Sequence, residues 1–484
     1  MTAGLPTLDW PALYPVLIAT VACFACLLLD ATPRGARPGV LAATGVLGVG
    51  GAMGVSLLLW DGPATSFQGM LVVDGFALFF NIVIGVAAIL VLLLSVGYLP
   101  HLGVEAGEYY ALVLFATIGM MLMASGTDLL VIFLALELMS LSLYVLAGTF
   151  RTRPAGNEAA LKYFLLGAFA SGFFLYGIAL LYGATGTTNL ARLGAALAAP
   201  GAAREPMVLA GLALLLVGFG FKTSAVPFHQ WVPDVYQGAP TAVTAFIATG
   251  SKAAAFGGLL RVLVAMQALQ ADWAAMLWVL AALTMTLGNV VALAQANVKR
   301  LLAYSSIAHV GYMLVGLAAG LGAGAPAVLF YLGVYTVASV GAFGTVLLLE
   351  RGGEEAVDLA AYGGLAGRHP VLALGFTVFL LALIGMPPTA GFVGKFYLFS
   401  AAIQRGLVWL AVIAVLNSVL AAYYYLRLIV YMYMREPEGA PTTALVTPAA
   451  SIALAISAWA TLQLGLWPGP VLTVAQRAVA PLLR

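Results

Sequence analysis

The chain has 484 residues, of which 63% are hydrophobic and 8% are charged, and its formal net charge is +2. This balance excludes a soluble domain, because average soluble proteins carry about 25% charged residues. The small net charge and the lack of a basic run give no indication of nucleic-acid binding. The composition is typical of a multi-pass membrane protein whose immediate environment is the lipid bilayer.

Apolar runs recur along the whole chain, separated by polar or Gly/Pro-rich breaks. The runs are about 20 residues long, as a helix requires to cross the roughly 30 Å hydrocarbon core of a bilayer. We predict an all-α polytopic membrane protein with about 14 transmembrane helices. The predicted spans one to fourteen are 11–29, 39–60, 75–98, 109–125, 128–149, 159–183, 207–226, 239–265, 274–295, 298–320, 325–349, 370–386 continuing to 403, 406–434 and 445–467.

Span one contains the only two cysteines, Cys23 and Cys26, as a CxxC pair. A metal cluster or structural zinc usually requires four ligands and accessible thiols, so we interpret both as ordinary helix cysteines. The sequence also lacks a phosphate-binding loop, a dinucleotide fingerprint and a Ser/His/Asp signature. We therefore expect no cofactor and no metal site in this chain.

Ionisable residues inside the apolar runs are the most informative feature. Four of the five lysines lie within predicted spans, whereas Lys299 borders a loop, and Glu137 is the only acidic residue in the middle of a span. The four are Lys162, Lys222, Lys252 and Lys395. A charged group inside a bilayer costs about 2.5–3.5 kcal/mol on insertion scales and is by default a functional hypothesis. Arginine stays protonated, whereas lysine removed from water can release its proton, so the pattern indicates a proton path.

Structural alternatives remain open for each of these residues. Glu137 and Lys222 can form a pair that only braces two helices. Lys252 can extend its amine towards a membrane surface, and Lys395 can be an interfacial anchor. Lys162 lies only about four residues into its span, where such an interfacial position is natural.

Two histidines are further candidates. His309 in AYSSIAHVGY lies near other polar residues of span ten, so it is either a hydrogen-bonded core histidine or a relay between Lys252 and Lys395. His229 follows Pro227, and we expect it near a mouth of the path, where it admits protons.

Two spans carry internal prolines. Span seven reads FGFKTSAVPFHQWVPDVY, and span twelve reads ALIGMPPTAGFVGKFYLF. Proline breaks a helix, and paired broken helices in a membrane indicate internal repeats. Because the breaks are five spans apart, we predict two inverted five-helix repeats, with Lys222 and Lys395 at matching positions. The predicted divisions are 1–108 for three N-terminal helices, 109–265 and 266–434 for the repeats, and 435–484 for a C-terminal helix.

Three stretches resemble a known family. PFHQWVPDVYQGAPTAVTAFIA, NVKRLLAYSSIAHVGYMLVG and IGMPPTAGFVGKFYLF are similar to the antiporter-like subunits of respiratory complex I, the proton-translocating NADH:quinone oxidoreductase. The PDVYQGAPT motif and the lysine of GFVGKF resemble those of subunit N. The related subunit M and the homologous cation antiporters typically carry glutamate at the position of this lysine in span twelve.

The resemblance implies roles for particular residues. The glutamate of span five that pairs with a lysine of span seven falls on Glu137 and Lys222. The central lysine of span eight falls on Lys252, and the terminal lysine of span twelve falls on Lys395. Lys162 matches a lysine commonly seen near the first pair.

The resemblance also implies a function. The chain is expected to be a non-redox subunit of a translocase in the bacterial cytoplasmic (inner) membrane, pumping protons while other subunits transfer electrons from NADH to quinone. Flavin, iron–sulfur clusters, NADH and quinone are then expected in partner membrane and peripheral subunits. The alternatives are a subunit of a multi-subunit cation/proton antiporter and a purely structural membrane spacer.

Overall fold

The fold is described here from a computed structural model covering residues 9–32, 37–101, 103, 106–150, 152–351, 354–437 and 442–483. In these residues, 13 helices are long and apolar enough to cross a membrane. Span twelve is divided into two shorter helices, Pro370–Ile384 and Ala390–Gln404. The prediction of an all-α membrane protein with about 14 spans is therefore confirmed.

The helices follow the predicted order closely. Spans one to six are Tyr14–Asp30, Pro38–Leu58, Gly75–His101, Ala106–Ser125, Leu129–Ala147 and Pro154–Thr185. Spans seven to ten are Pro206–Thr223 with Val232–Gly238, then Thr241–Phe246 with Lys252–Ala265, Gln270–Leu293 and Val298–Ala318. Spans eleven to fourteen are Leu321–Leu348, Pro370–Ile384 with Ala390–Gln404, Val408–Met434 and Pro448–Leu466.

Short elements connect the spans. The other α-helices are Leu190–Leu197, Leu365–Arg368 and Gly469–Val479. The strands are Ala64–Ser66 paired with Leu71–Val73, and Leu349–Arg351 paired with both Glu354–Glu355 and Thr443–Ala444. All these pairings are antiparallel, and each strand is only two or three residues long.

Backbone pairing supports the two repeats directly. An isolated antiparallel bridge joins Asp128, just before span five, to Asn189, and a second bridge joins Asn297, just before span ten, to Asp358. Each member of the second bridge lies 169 positions after its counterpart in the first. The same device therefore fixes the start of the second helix in both five-helix units. Five is an odd number of crossings, so the units run in opposite directions through the membrane.

The breaks in spans seven and twelve share one geometry. Each first half ends at a residue in the left-handed region, Ser224 with φ 76° and Gly385 with φ 89°. The N–H of the next residue then bonds to the carbonyl five positions earlier, of Gly220 at 2.8 Å and of Leu381 at 3.0 Å. This is the Schellman arrangement, which satisfies carbonyls at the end of a helix. The two broken helices predicted from the prolines are confirmed.

The lysines do not occupy matching sequence positions in the two breaks. Lys222 lies two residues before the left-handed Ser224, whereas Lys395 lies ten residues after Gly385. In the register that aligns the breaks, the residue matching Lys395 is Asp234, at the start of the second half of span seven. The two lysines thus differ in sequence position relative to the left-handed residue, but Nζ of Lys395 returns to its break and donates to the carbonyl of Ile384. Their equivalence in space stays a prediction.

Span eight has an irregular turn that the sequence does not predict. Ile247–Ser251 forms a π-helical turn immediately before Lys252. The surrounding helix is completely enclosed, with no residue of its most apolar stretch left at the surface. A π turn inside an α-helix often occurs at a functional position, because it displaces the following side chain from its regular direction.

We expect Gly385→Ala to destabilise the protein by about 1–2 kcal/mol, because an L-residue is strained at this left-handed position. An added Cβ would also lie 2.9 Å from Cδ of Lys395. The midpoint of thermal unfolding in detergent should fall. Gly375→Ala in the same span is the matched control, since its Cβ would meet nothing within 4 Å. Equal midpoints for the two variants would contradict this account of the break.

Candidate functional site

Lys222 and Glu137 face the same interior region but hold separate partners. Lys222 is 2% exposed, and its Nζ donates to the hydroxyl of Tyr163 at 3.2 Å. Glu137 is half-buried and accepts a hydrogen bond from Ser171. Among the described residues no carboxylate lies within 4.0 Å of Lys222, although Glu137 is within electrostatic reach.

A small cavity lies beside Lys222 and Ser171. It has a volume of about 10 Å³, and both Lys222 and the Ser171 that binds Glu137 line it, together with Ser140 and Tyr144. A cavity of this size holds about one water molecule when polar groups line it. The cavity therefore has room for about one water beside Lys222 and the serine that binds Glu137.

Lys252 is anchored on span ten. Its Nζ donates to the carbonyl of Ser306 at 3.1 Å and also to the hydroxyl of Ser306. That hydroxyl accepts from the hydroxyl of Tyr335 at 2.7 Å and lies 3.4 Å from the hydroxyl of Tyr236. With 1% of its surface exposed, Lys252 is enclosed and its amine does not extend to a membrane surface.

His309 lies one helical turn beyond Ser306. Its Nδ1 is 2.7 Å from the hydroxyl of Tyr331, and its Nε2 is 3.3 Å from the hydroxyl of Tyr425. It is 3% exposed and within electrostatic reach of both Lys252 and Lys395. The structure therefore brings this histidine between the two lysines.

Lys395 ends the row of polar groups. Its Nζ donates to the carbonyl of Ile384 at 2.8 Å and to the hydroxyl of Ser418 at 3.3 Å, and it lies 4.5 Å from the ring centroid of Tyr312. Tyr312 is one turn beyond His309 on span ten. Lys395 also lines a cavity of about 390 Å³ whose remaining walls include exposed apolar side chains.

Lys162 does not belong to the buried set. Its side chain is 41% exposed and forms ion pairs with Glu158 at 2.7 Å and with Asp234 at 2.6 Å. Asp234 also pairs with Arg300 at 2.8 Å. Of the two interpretations that the sequence leaves open, the interfacial one fits, because Lys162 lies near the beginning of its helix at a half-exposed position.

Lys299 is buried instead, with only 1% of its surface exposed. Its Nζ lies 3.1 Å from Oε2 of Glu355 and 2.8 Å from the carbonyl of Ala239. Glu355 also accepts from the hydroxyls of Thr241, at 2.8 Å, and of Tyr98. The sequence does not predict this burial because Glu355 reaches Lys299 from a short strand 56 positions away.

The electrostatics of Glu355 fit a structural ion pair. Burial raises the pKa of the Glu355 carboxyl, but the Lys299 charge and the hydrogen bonds from Tyr98 and Thr241 outweigh it, so that pKa lies below its ordinary value. Arg261 is held in the same manner by Asp74, with two contacts of 2.7 and 2.9 Å. In contrast, among the described residues Lys222, Lys252 and Lys395 have hydroxyl, carbonyl or ring partners and no carboxylate partner.

His229 is not joined to the lysines. It lies between the two halves of span seven, and its buried Nδ1 has no hydrogen-bond partner among the described residues. The predicted role at a mouth of the path stays a prediction.

Comparison with known proteins identifies the family. Residues 126–421 match the family model described as NADH:quinone oxidoreductase/Mrp antiporter, TM. The chain is 49% identical, over 98% of its length and 97% of the relative, to NADH-quinone oxidoreductase subunit N of Trichlorobacter lovleyi. The chain belongs to the subunit N family. This confirms the resemblance seen in the sequence.

Solved structures agree with membership of the subunit N family. A chain of respiratory complex I from Thermus thermophilus with bound aureothin superposes with a TM-score of 0.81 at 42% identity, covering 95% of this chain and 98% of that one. The Mrp complex from Dietzia sp. contains a chain with a TM-score of 0.84, 98% coverage of both chains and 23% identity. The second likeness shows a common fold only.

We expect Glu355→Gln to destabilise the protein by roughly 3–5 kcal/mol, because it leaves the Lys299 ammonium buried without a countercharge. The midpoint of thermal unfolding should fall. Glu354→Gln, which changes an exposed neighbouring acid, is the control and should have little effect.

The loss of stability caused by Glu355→Gln should depend on pH. The folded pKa of Glu355 is depressed, so its stabilising contribution is present above the ordinary carboxyl pKa and is lost as pH falls through the folded value. The difference between wild type and Glu355→Gln should therefore shrink at acidic pH. A difference that stays constant down to complete protonation would contradict the ion-pair assignment.

Proposed function

We propose that this member of the subunit N family translocates protons as a non-redox membrane subunit of an NADH:quinone oxidoreductase. Electron transfer from NADH to quinone is carried out in other subunits and drives the pumping. The observation that carries this proposal is the row of three buried lysines on hydroxyl-bearing partners, joined by polar side chains along span ten. Such groups are costly inside a membrane and are retained for transport.

The first step involves Glu137 and Lys222. When the carboxylate turns from Ser171 towards the cavity, the nearby negative charge favours the protonated form of Lys222. When it turns back, the ammonium loses that support and releases its proton. A conformational change driven by the redox subunits thus acts on one rotamer next to a cavity that holds about one water.

The later steps run along span ten. Lys252 receives the proton, and the hydroxyl of Ser306 together with His309 carries it towards Lys395. His309 serves as a relay because its ring can donate at one nitrogen while it accepts at the other. Lys395 passes the proton on into the cavity beside it.

Two predicted residues take peripheral roles in this proposal. Lys162 lies outside the interior path and acts at the protein surface through its pairing with Asp234. His229, at the break of span seven, is proposed to admit protons towards Lys222. We also propose that the chain is organised as three N-terminal helices (1–108), two five-helix repeats (109–265 and 266–434) and a C-terminal helix (435–484).

The proposal also specifies the partner subunits, the cellular location and the cofactors of the complex. The partners are other membrane and peripheral subunits of the complex and the lipid bilayer, and the location is the bacterial cytoplasmic membrane. NADH, flavin, iron–sulfur clusters and quinone belong to partner subunits. Purification of the chain with flavin- and iron–sulfur-containing partners supports this function, whereas purification as a stand-alone assembly that exchanges sodium for protons supports the antiporter alternative.

We expect Lys252→Arg and Lys395→Arg to reduce proton pumping by the assembled complex by about 10²-fold or more, as for loss of a proton-transfer group. Arginine keeps the charge but does not release its proton. Electron transfer to quinone should slow with pumping. The measurements are the amount of assembled complex, NADH oxidation and proton movement into membrane vesicles.

Lys299→Arg is the matched control for these variants, since Lys299 is equally buried but holds a carboxylate partner. It should retain pumping wherever the complex assembles. Normal pumping in assembled Lys252→Arg and Lys395→Arg complexes would rule out a relay through these amines.

A further inference from the structure

A groove between spans eleven, twelve and fourteen is not used by the proposed proton path. It has a volume of about 410 Å³ and opens at the surface of the chain, where Val371 on its rim is 81% exposed. This volume falls within the range of roughly 300–1,000 Å³ that small-molecule sites occupy. Most of its walls are apolar, and the apolar residues that line it include Leu348, Gly375, Phe379, Leu454 and Ala458. The groove therefore suits an apolar chain.

The groove extends only half-way through the membrane. On span twelve its deepest lining residue is Phe379, nine positions after the helix begins at Pro370. On span fourteen the deepest is Ala458, ten positions after Pro448. At 1.5 Å per residue these depths are about 14 and 15 Å, half of the roughly 30 Å hydrocarbon core. One leaflet of a bilayer has this depth, so the groove fits a lipid acyl chain, whereas a partner helix that crosses the membrane extends far beyond it.

A cation and hydrogen-bonding groups lie at the polar end of the groove. Arg368 and His369 line it immediately before span twelve begins, and Ser451 lines it from span fourteen. Arg368 is exposed and has no ion pair in the part of the chain that the structure describes. None of the described residues that line the groove is acidic. The guanidinium of an arginine matches the geometry of phosphate oxygens, and a histidine ring can donate a hydrogen bond whether or not it is charged.

The polar end of the groove lies on the more basic side of the chain. Because successive spans alternate in direction, this side also carries Arg153, Arg300 and Arg435, and an excess of such residues near span ends marks the cytoplasmic side. Anionic lipids give the cytoplasmic surface of a membrane a negative potential, and basic pockets between transmembrane helices on that side bind lipid headgroups. The charge of the groove therefore complements an anionic headgroup.

We propose that this groove binds an anionic phospholipid. One acyl chain lies between spans eleven, twelve and fourteen, and the phosphate accepts hydrogen bonds from Arg368 and His369. The proposal concerns a lipid partner of the chain and goes beyond its proposed role in pumping, on which it does not depend.

Photo-labelling of the assembled complex tests this proposal. The complex is reconstituted in phosphatidylcholine vesicles that contain a small fraction of phosphatidylglycerol with a photoreactive group at the end of one acyl chain. We expect labelled peptides that include Phe379 or Ala458, because the end of the acyl chain reaches the deepest part of the groove. The same photoreactive group on phosphatidylcholine should label these peptides about five-fold less, as for loss of one charge contact near the membrane surface.

Two variants test the two ends of the groove. Arg368→Gln should lower labelling by the phosphatidylglycerol probe about five-fold, whereas Arg368→Lys keeps the charge and should retain most of it. Gly375→Leu should lower labelling because it fills the groove, and its Cβ would meet nothing within 4 Å, so the fold accepts it. Gly54→Leu in span two is the matched control, since its Cβ would also meet nothing within 4 Å. It should be labelled like the wild type.

Two results would overturn the proposal. Equal labelling by the two headgroups, or unchanged labelling in Arg368→Gln, would show that the groove does not select an anionic lipid. Absence of label from these peptides, with a partner subunit cross-linked to the groove, would show that protein occupies it.

Discussion

A buried cation must donate hydrogen bonds to acceptors of the protein, and the choice of acceptor divides the interior cations described here into two classes. Lys299 and Arg261 face carboxylates, Glu355 and Asp74, and each forms an ion pair. A carboxylate partner suits only the charged form. Lys222 and Lys252 instead face hydroxyls, which can accept from an ammonium or donate to an amine. Such a site is satisfied before and after the proton leaves, as a relay requires.

The backbone provides the positions at which these side chains stand. Matching bridges before spans five and ten, and matching left-handed residues in the two breaks, repeat one structural device in opposite orientations. The side chains placed on that common backbone differ. Lys222 precedes its break, Lys395 follows its own, and Asp234 occupies the register position of Lys395 but pairs with Lys162 and Arg300. The repeats therefore share a scaffold, on which the ionisable residues occupy different sequence positions relative to the breaks.

Much of this arrangement can be predicted from the sequence. Apolar length gives the spans, and the prolines after Lys222 and before Lys395 give the two breaks, because both signals act locally. The π turn before Lys252 has no local signal, since it arises from packing inside a fully enclosed helix. The burial of Lys299 is not predicted either. Position along a helix decides exposure at Lys162, whereas Lys299 is buried by the distant Glu355.

The central claim is that lysines inside the membrane gain and lose protons during turnover. Infrared difference spectroscopy of the assembled complex, with isotope-labelled lysine amines, tests it most directly. The account predicts a turnover-dependent loss of the ammonium signal that disappears in Lys252→Arg and persists in Lys299→Arg. Lysine amines that stay protonated throughout turnover, while the complex continues to pump, would contradict it.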